Sequence, residues 1–329
     1  MEKTISVAIV DCGESPNMGE ALVNYLKKIY PVKLVDPQDA DYVIHSVGGH
    51  DVLRYPGIRI FLTGELLSAD YNISDYSLTF DRLQFGDRHL WFPLIKLYTE
   101  AYSSLIKPRR AFDEILLEKS AFCAYVMSNT KNSANERQRI FDVLNNYKAV
   151  NCGGKWNNNV GGRVADKHAF QRKHKFVIAF ENHSSPGYLT EKFAEAAMVD
   201  AIPIYWGDPE IGNYFNTKAF INCHEFVSFD AVLERVKEID SDDLLYREML
   251  QQPWFYSGHE PECFSDETVT KFLMNIFDQP REQAFRRNFS RWGKKHEQRL
   301  KRMWEQPFSH LIRRKYKQFR LLCKKGIKK

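Results

Sequence analysis

The segment from Lys175 to Phe226 constrains the fold of this chain more than any other. It predicts a strand over Phe176–Phe180, a polar loop over Glu181–Gly187 and a helix from Thr190, because an apolar run gives way first to Pro and Gly and then to helical periodicity. Ile202–Trp206 predicts the next buried strand. This order of strand, loop, helix and strand is typical of an α/β protein with a parallel sheet.

Glu191 and Lys192 lie in the first turn of that predicted helix. The loop after a parallel strand and the N-terminus of the following helix favour anionic ligands. A carboxylate there can accept hydrogen bonds from a ribose diol, and an ammonium can meet a phosphate. Physical chemistry alone leaves two readings open. One is a nucleotide or sugar-nucleotide site, and the other is an exposed helical turn in which Glu is favoured by the dipole and Lys is solvated.

Five short motifs follow one another in this segment. They are FEN, GYLTEKF, AIPIYWG, FIN and HEF. In this order they resemble the donor-binding signature of the α-1,3-fucosyltransferases, glycosyltransferase family ten, and the bacterial members that make Lewis antigens look nearest. The resemblance implies a GT-B architecture, in which two Rossmann-like domains face each other across a cleft, and GDP-fucose as the donor.

Glu65 is the expected general base. It follows an apolar run and Gly64, which places it at the carboxyl end of a predicted strand, where ligands of parallel sheets bind. Bacterial members of the family have a similar glycine–glutamate pair whose Glu is the proposed base. The resemblance therefore implies that Glu65 takes the proton from the acceptor hydroxyl. The alternative is a surface carboxylate at a strand end.

Lys192 and Arg137 are expected to stabilise the leaving pyrophosphate. A guanidinium gives bidentate contacts to phosphate oxygens, which a lysine does not reproduce. Arg139 lies two residues further along the predicted helix and points elsewhere, so only one of the two arginines should matter. The separation from Glu191 matches the family and favours Arg137.

The remaining donor contacts are implied by the resemblance. Glu191 is expected to bind the ribose, Asn182 to contact the donor through its amide, and Tyr188 through its ring or hydroxyl. The role of Glu181 stays open: it either supports the loop or lies near the fucose. A helix N-terminus with Lys and Arg can neutralise the leaving group. We therefore expect no cofactor and no metal in the site, and stimulation of turnover by a divalent cation stays open.

The donor half has no Asp-x-Asp metal signature at a strand end, and Asp240–Asp243 predicts a solvated helix start. Alternating strands and helices in the first part of the chain predict a doubly wound parallel sheet. With Leu105–Lys119 as a linker, we expect an N-terminal acceptor-binding Rossmann-like domain over residues 1–118. A C-terminal GDP-fucose-binding Rossmann-like domain over 119–280 and a basic amphipathic helical tail over 281–329 should follow.

The positive charge is concentrated at the end of the chain. From Arg281 onward 18 Lys and Arg face 3 Glu, a local net charge of +15, so the rest of a chain with net charge +5 carries −10. Basic segments with interleaved aromatic residues bind anionic membrane surfaces, at about 1 kcal/mol per Lys or Arg. We expect the tail to bind such a surface and the chain to bind no nucleic acid. A helix packed back on the body is the alternative.

The first residues predict a strand rather than an export signal. No segment reaches the roughly 20 apolar residues that span a bilayer, and six scattered cysteines suit reduced thiols. We therefore expect a cytoplasmic enzyme, peripheral to the inner membrane.

The expected reaction is inverting transfer of L-fucose from GDP-fucose to O3 of N-acetylglucosamine in N-acetyllactosamine-type acceptors, with a Lewis x-like product of the kind found on lipopolysaccharide. Acceptor contacts are expected from the loops Val47–Tyr55 and Leu66–Ser74, while α-1,3 or α-1,4 preference and oligomeric state stay open. Two other classes remain. One is a GT-B glycosyltransferase that uses another nucleotide sugar, and the other is a non-catalytic protein that binds membranes or nucleic acid through its tail.

Overall fold

The computed structural model describes residues 3–13, 18–128, 133–288, 290–305 and 312. Contacts between residues divide the chain into two compact units. The first combines the chain up to Leu78 with Phe85–His89 and the chain from Phe272 onward. The second contains Thr79–Gln84 and Leu90–Lys271.

The first unit is built on a sheet with strand order β2-β1-β3-β4-β5-β6. Its elements are β1 (Ile5–Val10), α1 (Met18–Leu26), β2 (Val32–Leu34), β3 (Tyr42–His45), β4 (Ile58–Leu62), β5 (Tyr76–Thr79) and β6 (His89–Trp91). Strands β1 to β5 pair in parallel. Every residue of β3, β4 and β5 is buried, as expected for central strands of a parallel sheet that is covered on both faces.

The C-terminal helices fold back onto this first unit. They are the second half of α9 (Asp266–Phe277), which begins in the second unit, together with α10 (Arg281–Ala284) and α11 (Arg291–Glu305). Arg287 donates to Asp75 in a buried ion pair, and Glu297 of α11 pairs with the buried Arg59 at 2.6 Å. Leu300 packs against the apolar cluster around Val52.

These contacts change the expected boundaries. Residues 281–305 are part of the first unit and do not form a separate tail, because buried arginines hold them to the sheet. The rest of the predicted tail lies outside the described residues, Ile312 excepted. Among the described residues, no helix is both long and apolar enough to cross a membrane.

The second unit contains a parallel sheet with strand order β11-β10-β9-β7-β8. Its strands are β7 (Ala121–Tyr125), β8 (Val150–Cys152), β9 (His174–Phe180), β10 (Ile202–Trp206) and β11 (Ile221–Asn222). Its helices are α2 (Thr99–Ile106), α3 (Phe112–Glu118), α4 (Glu136–Asn145), α5 (Lys167–Arg172), α6 (Glu191–Met198), α7 (Phe229–Ser241) and α8 (Asp243–Gln251).

Strand β9 shows how the second core is divided. Successive side chains of a strand point to opposite faces of the sheet. Phe176, Ile178 and Phe180 therefore join the cluster that includes α4, α7 and α8, whereas Val177 and Ala179 join the cluster that includes α2 and α6. Each buried Phe contributes about 1.5–3 kcal/mol relative to an exposed one. The two faces of the sheet are covered by two separate layers of helices, and both layers stabilise it.

The predicted linker Leu105–Lys119 is largely helical rather than loose. Its first residues end α2, which buries Ala101, Tyr102 and Leu105, and most of the remainder forms α3, which buries Phe112 and Ile115. Apolar residues three or four positions apart face one side of a helix, and here charged neighbours hid that spacing. Both helices belong to the second unit. This unit therefore starts well before the predicted boundary at residue 119.

Candidate functional site

The second sheet has one point at which the strand order reverses. From β7 the chain crosses through α4 to β8 on one side, and from β9 it crosses through α6 to β10 on the other. Ligands of doubly wound sheets bind at the carboxyl ends of the strands beside such a point. The loops after β7 and β9 carry the predicted donor-binding residues.

Arg137 connects these two strand ends. Its Nη1 donates to Asn182 Oδ1 at 2.9 Å and to Ser133 Oγ at 3.0 Å, while its Nε donates to the hydroxyl of Tyr125 at 3.2 Å. Tyr125 ends β7, and Asn182 follows β9. All three acceptors are neutral oxygens, and these contacts fix the orientation of the guanidinium. Arg137 is buried and Arg139 is exposed.

Glu181 is the residue whose position the sequence left open. Its side chain is fully buried. One carboxylate oxygen accepts the Thr190 N–H at 2.8 Å, and the other accepts the Thr190 hydroxyl at 2.6 Å and Lys192 Nζ at 2.9 Å. A carboxylate at this place satisfies an N–H group that the start of α6 would leave open and is favoured by the helix dipole. Glu181 therefore fixes the start of the helix that carries Glu191 and Lys192.

Lys192 has an oxygen partner for each of its three ammonium protons. These are Glu181 at 2.9 Å, Thr190 Oγ1 at 2.9 Å and Glu191 at 3.0 Å. Burial acts to lower the pKa of Lys192, but Glu181 and Glu191 outweigh it and raise the pKa above its usual range. Burial likewise acts to raise the pKa of Glu191, and Lys192 and Lys167 hold that pKa at about 2. Lys192 and Glu191 therefore stay ionised around neutral pH.

Two tyrosines border this cluster. Tyr188, predicted to contact the donor, is 2% exposed, and its ring meets Phe80 edge-on. Tyr98 hydrogen-bonds Glu191, and burial followed by the charge of Glu191 raises the pKa of its phenol. No pattern in the sequence indicates Tyr98, since it lies 93 residues before its partner.

Gly207 shows why the strand motif ends in glycine. A Cβ at this position would lie 2.4 Å from Cγ of Glu181 and 2.6 Å from the hydroxyl of Tyr205. Gly187 meets a similar restriction, because its φ is +80° and a Cβ would lie 2.3 Å from the carbonyl oxygen of Phe80. Both glycines let the backbone pass closely around the buried polar cluster.

Glu65 lies in the first unit, after β4, at the carboxyl end of the sheet. Its N–H donates to Oγ1 of the buried Thr63 at 3.1 Å, whereas its own side chain is exposed. The two predicted acceptor loops border one cavity of about 210 Å³ in this unit. Its wall includes Phe61 and His45, and Nε2 of His45 lies 2.9 Å from Oγ of Ser74.

The described residues contain no group of three or more His, Cys, Asp or Glu side chains that could hold a metal ion. The predicted solvated cluster Asp240–Asp243 is wrong for its first member. Asp240 is largely buried at the end of α7 and pairs with Lys148 and Lys175, because the two ammonium groups offset the cost of burying its charge. Asp242 caps the start of α8.

A doubly wound parallel sheet with an arginine, a lysine and a helix N-terminus at its switch point defines a nucleotide-binding class of α/β protein. Residues 7–98 match the family model for the alpha-(1,3)-fucosyltransferase FucT N-terminal domain, and residues 116–275 match that for glycosyltransferase family 10 (fucosyltransferase), C-terminal part. The chain belongs to glycosyltransferase family 10.

Similar proteins support this assignment. Alpha-(1,3)-fucosyltransferase FucT of Helicobacter pylori is 34% identical over 224 residues, which are 59% of this chain and 46% of that protein. The chain thus spans just under half the length of this curated relative. A crystal structure of an alpha1,3-fucosyltransferase with GDP-fucose has 28% identity and a TM-score of 0.70, and the match covers 84% of this chain and 91% of that one.

Anabaena HepE, solved with UDP and glucose, is 8% identical with a TM-score of 0.52 over 84% of this chain and all of its own, and it shows the fold alone. The predicted fold class, an α/β chain of GT-B type with two Rossmann-like domains, is confirmed.

Proposed function

We propose that the protein transfers L-fucose from GDP-fucose, with inversion, to O3 of N-acetylglucosamine in N-acetyllactosamine-type acceptors. The observation that carries this proposal is the polar cluster at the switch point of the second sheet. Arg137 and Asn182 join the ends of β7 and β9 there, in a chain whose solved relative is described with GDP-fucose. A buried, prearranged set of cations and a helix N-terminus suits a diphosphate.

Within this proposal each donor-side residue has one task. Arg137 offers a planar donor to the diphosphate, and Asn182 aligns it through the 2.9 Å hydrogen bond. Glu191 accepts hydrogen bonds from the ribose diol, for which its low pKa keeps it ionised. Lys192 meets the charge that develops on the leaving group when one of its three hydrogen bonds, to Glu181, Thr190 or Glu191, gives way to a diphosphate oxygen. Tyr188 contacts the donor at the edge of the site.

The reaction breaks the bond between fucose C1 and the diphosphate oxygen and forms a bond between C1 and the acceptor O3 on the opposite face. The electron pair of the broken bond leaves with GDP, and Arg137 and Lys192 stabilise its negative charge. The acceptor proton passes to the Glu65 carboxylate, whose exposure leaves it accessible to an incoming hydroxyl. These tasks need no metal ion or cofactor.

The reacting acceptor sugar is proposed to occupy the cavity of about 210 Å³ between the two predicted acceptor loops. This cavity offers an aromatic ring, apolar side chains and a few polar groups, a mixture typical of small-molecule sites. His45 is kept neutral there, because burial, Arg59 and Arg287 lower its pKa to about 3. A neutral imidazole ring can form a hydrogen bond with a sugar hydroxyl without favouring a charged ligand.

Association with an anionic membrane surface remains a proposal for the C-terminal segment. Its support is the charge of the segment and α11, on which Arg291, Lys294, Arg299 and Arg302 are exposed beside Trp292. The face of α11 with Glu297, Leu300 and Trp304 is already turned to the first unit. Membrane contact would therefore use the outward basic face, and cytoplasmic location at the inner membrane belongs to the same proposal.

The test is transfer from GDP-fucose to N-acetyllactosamine in EDTA, with linkage analysis of the product and separate calorimetry of GDP binding. An α-1,3-linked trisaccharide is the expected result. GDP binding without product would reject the acceptor and keep the donor site. No GDP binding would contradict the proposal as a whole, and product that appears only after a divalent cation is restored would reject metal independence.

A further inference from the structure

We propose that the first unit carries a second saccharide subsite, which binds the part of the acceptor chain beyond the reacting sugar. The subsite is a cavity of about 300 Å³ between the 3-10 turn Asp51–Arg54 and the last turn of α11. This inference rests on the proposed function, because it needs a saccharide acceptor. Its occupant is a neutral stretch of oligosaccharide.

The wall formed by α11 is held in place at two levels. Glu297 pairs with the buried Arg59 at 2.6 Å, and one turn later Leu300 packs into the apolar cluster of the sheet. Trp304 follows one turn further on the same side and stacks on His50, with ring centroids 3.5 Å apart and planes inclined by 24°. The cavity is therefore bordered by packed side chains rather than by a loosely attached helix.

The lining has the chemistry of a polyol site. Trp304 is 45% exposed and presents an aromatic surface to the cavity. Apolar C–H groups of a sugar can pack on such a surface, while its hydroxyls need donors and acceptors at the rim. Asp51, Arg54, Lys301 and Glu305 supply both kinds.

The charges at the rim favour a neutral ligand over an ionic one. Arg54 pairs with Asp51 at 3.2 Å, and Lys301 lies 3.8 Å from Glu305. Two cations are thus matched by two carboxylates, so the lining carries no excess charge that would attract a phosphate, an acidic peptide or a polyamine. Sugar hydroxyls can donate to the carboxylates and accept from the cations without disturbing that balance.

The position of the cavity connects it to the reacting sugar. Gly49 and His50 line both this cavity and the cavity of about 210 Å³ proposed for the reacting sugar. An acceptor saccharide that leaves the cavity of about 210 Å³ past His50 would enter the cavity of about 300 Å³ directly. His50 and Trp304 would then contact successive sugar residues of one acceptor, and longer acceptors would bind more tightly than a disaccharide.

The experiment compares N-acetyllactosamine with an oligosaccharide of three such repeats at saturating GDP-fucose. The wild type should use the longer acceptor with a KM about tenfold lower, a factor that corresponds to ~1.4 kcal/mol. Trp304→Ala should remove most of this difference, and Trp304→Phe should keep most of it. Trp292→Ala is the matched control, since Trp292 lies on the same helix but is 68% exposed and is not part of the cavity lining.

Equal KM values for the two acceptors in the wild type would overturn the subsite. So would the same loss in Trp292→Ala as in Trp304→Ala, or an equal rise of KM for both acceptors in Trp304→Ala. If the wild type transfers to neither acceptor, tryptophan fluorescence of the Trp292→Phe protein is titrated with the longer saccharide. A change that Trp304→Ala abolishes would keep the subsite while rejecting the reaction, and no change would reject both.

Discussion

The carboxyl edges of the two sheets are prepared in different ways. In the second unit, Glu181, Lys192 and Arg137 are held by hydrogen bonds of 2.6–3.2 Å to neighbouring protein groups. In the first unit, Glu65 is exposed beside a cavity whose loops come from separate stretches of the chain. The edge in the second unit is buried and charged, whereas the edge in the first unit is open and mostly neutral.

This difference matches the chemistry of the two proposed substrates. A diphosphate is strongly charged and needs cations that are oriented in advance, because reorganising them during the reaction would add to the barrier. A neutral acceptor needs shape and access instead. In the proposed acceptor subsite, α11 would contribute that shape, since it packs against the loop that contains His50.

The first prediction concerns Glu65, the base proposed at the acceptor edge, and it has the largest effect on activity. Glu65→Gln should lower kcat by about 10²–10⁴-fold, because the acceptor proton loses its base. The affinity for GDP and the free energy of unfolding should stay within experimental error, since the side chain is exposed. Stopped assays, calorimetry with GDP and urea denaturation measure the three quantities.

Asp39→Asn is the matched control for Glu65→Gln, because Asp39 is exposed and precedes β3, at the opposite edge of the same sheet. It should behave as the wild type in all three measurements. An active Glu65→Gln enzyme would remove Glu65 as the base and leave the acceptor edge without a catalytic group.

The second effect concerns the C-terminal segment. Removal of the chain from Arg281 onward takes away Arg287 and leaves the buried Asp75 without this partner, which should cost about 3–5 kcal/mol of unfolding free energy. Removal of the chain after Glu305 keeps that pair, so the truncation at Arg281 should be the less stable of the two by about that amount. Urea denaturation of both truncations tests this.

The protein that lacks only residues 306–329 is also suited to a test of membrane association, because it keeps the ion pair between Arg287 and Asp75. If the protein without residues 306–329 stays in the membrane fraction of a lysate as the full chain does, the charge that matters lies on α11 or elsewhere. Equal stability of the two truncations would contradict the structural role assigned to Arg287.

The third effect tests the prearranged donor edge. Arg137→Lys keeps a positive charge but loses the planar group that bonds Tyr125, Ser133 and Asn182. GDP-fucose kcat/KM should fall about 10–100-fold, since a lysine cannot make bidentate contacts to phosphate. Arg139→Lys, two residues along α4 and exposed, should change it less than twofold. Equal effects of both substitutions would show that charge alone suffices at this edge.

The donor edge could be predicted from the sequence because most of its parts lie close together along the chain. Residues 181–192 supply the loop and the helix start, and their spacing reflects that geometry. The buried role of Glu181 could not be read, since a carboxylate in a polar loop has no pattern that indicates burial. Tyr98 and Trp304 could not be read either, because each meets its partner across long stretches of chain.

The last prediction concerns a slope with pH rather than a single difference, and it tests the neutral ring at the acceptor edge. Burial, with Arg59 and Arg287, lowers the pKa of His45 to about 3. Between pH 6.5 and 3, His45 therefore binds a proton in the unfolded chain but not in the folded protein. The free energy of unfolding should therefore fall as the pH drops through this range, by at most about 1.4 kcal/mol per pH unit from this group. His45→Gln should reduce that slope, whereas His296→Gln on the exposed surface of α11 should not. Urea denaturation between pH 4 and 7 measures the slope, and an unchanged slope in His45→Gln would mean that the folded protein accepts a charged ring beside the acceptor cavity.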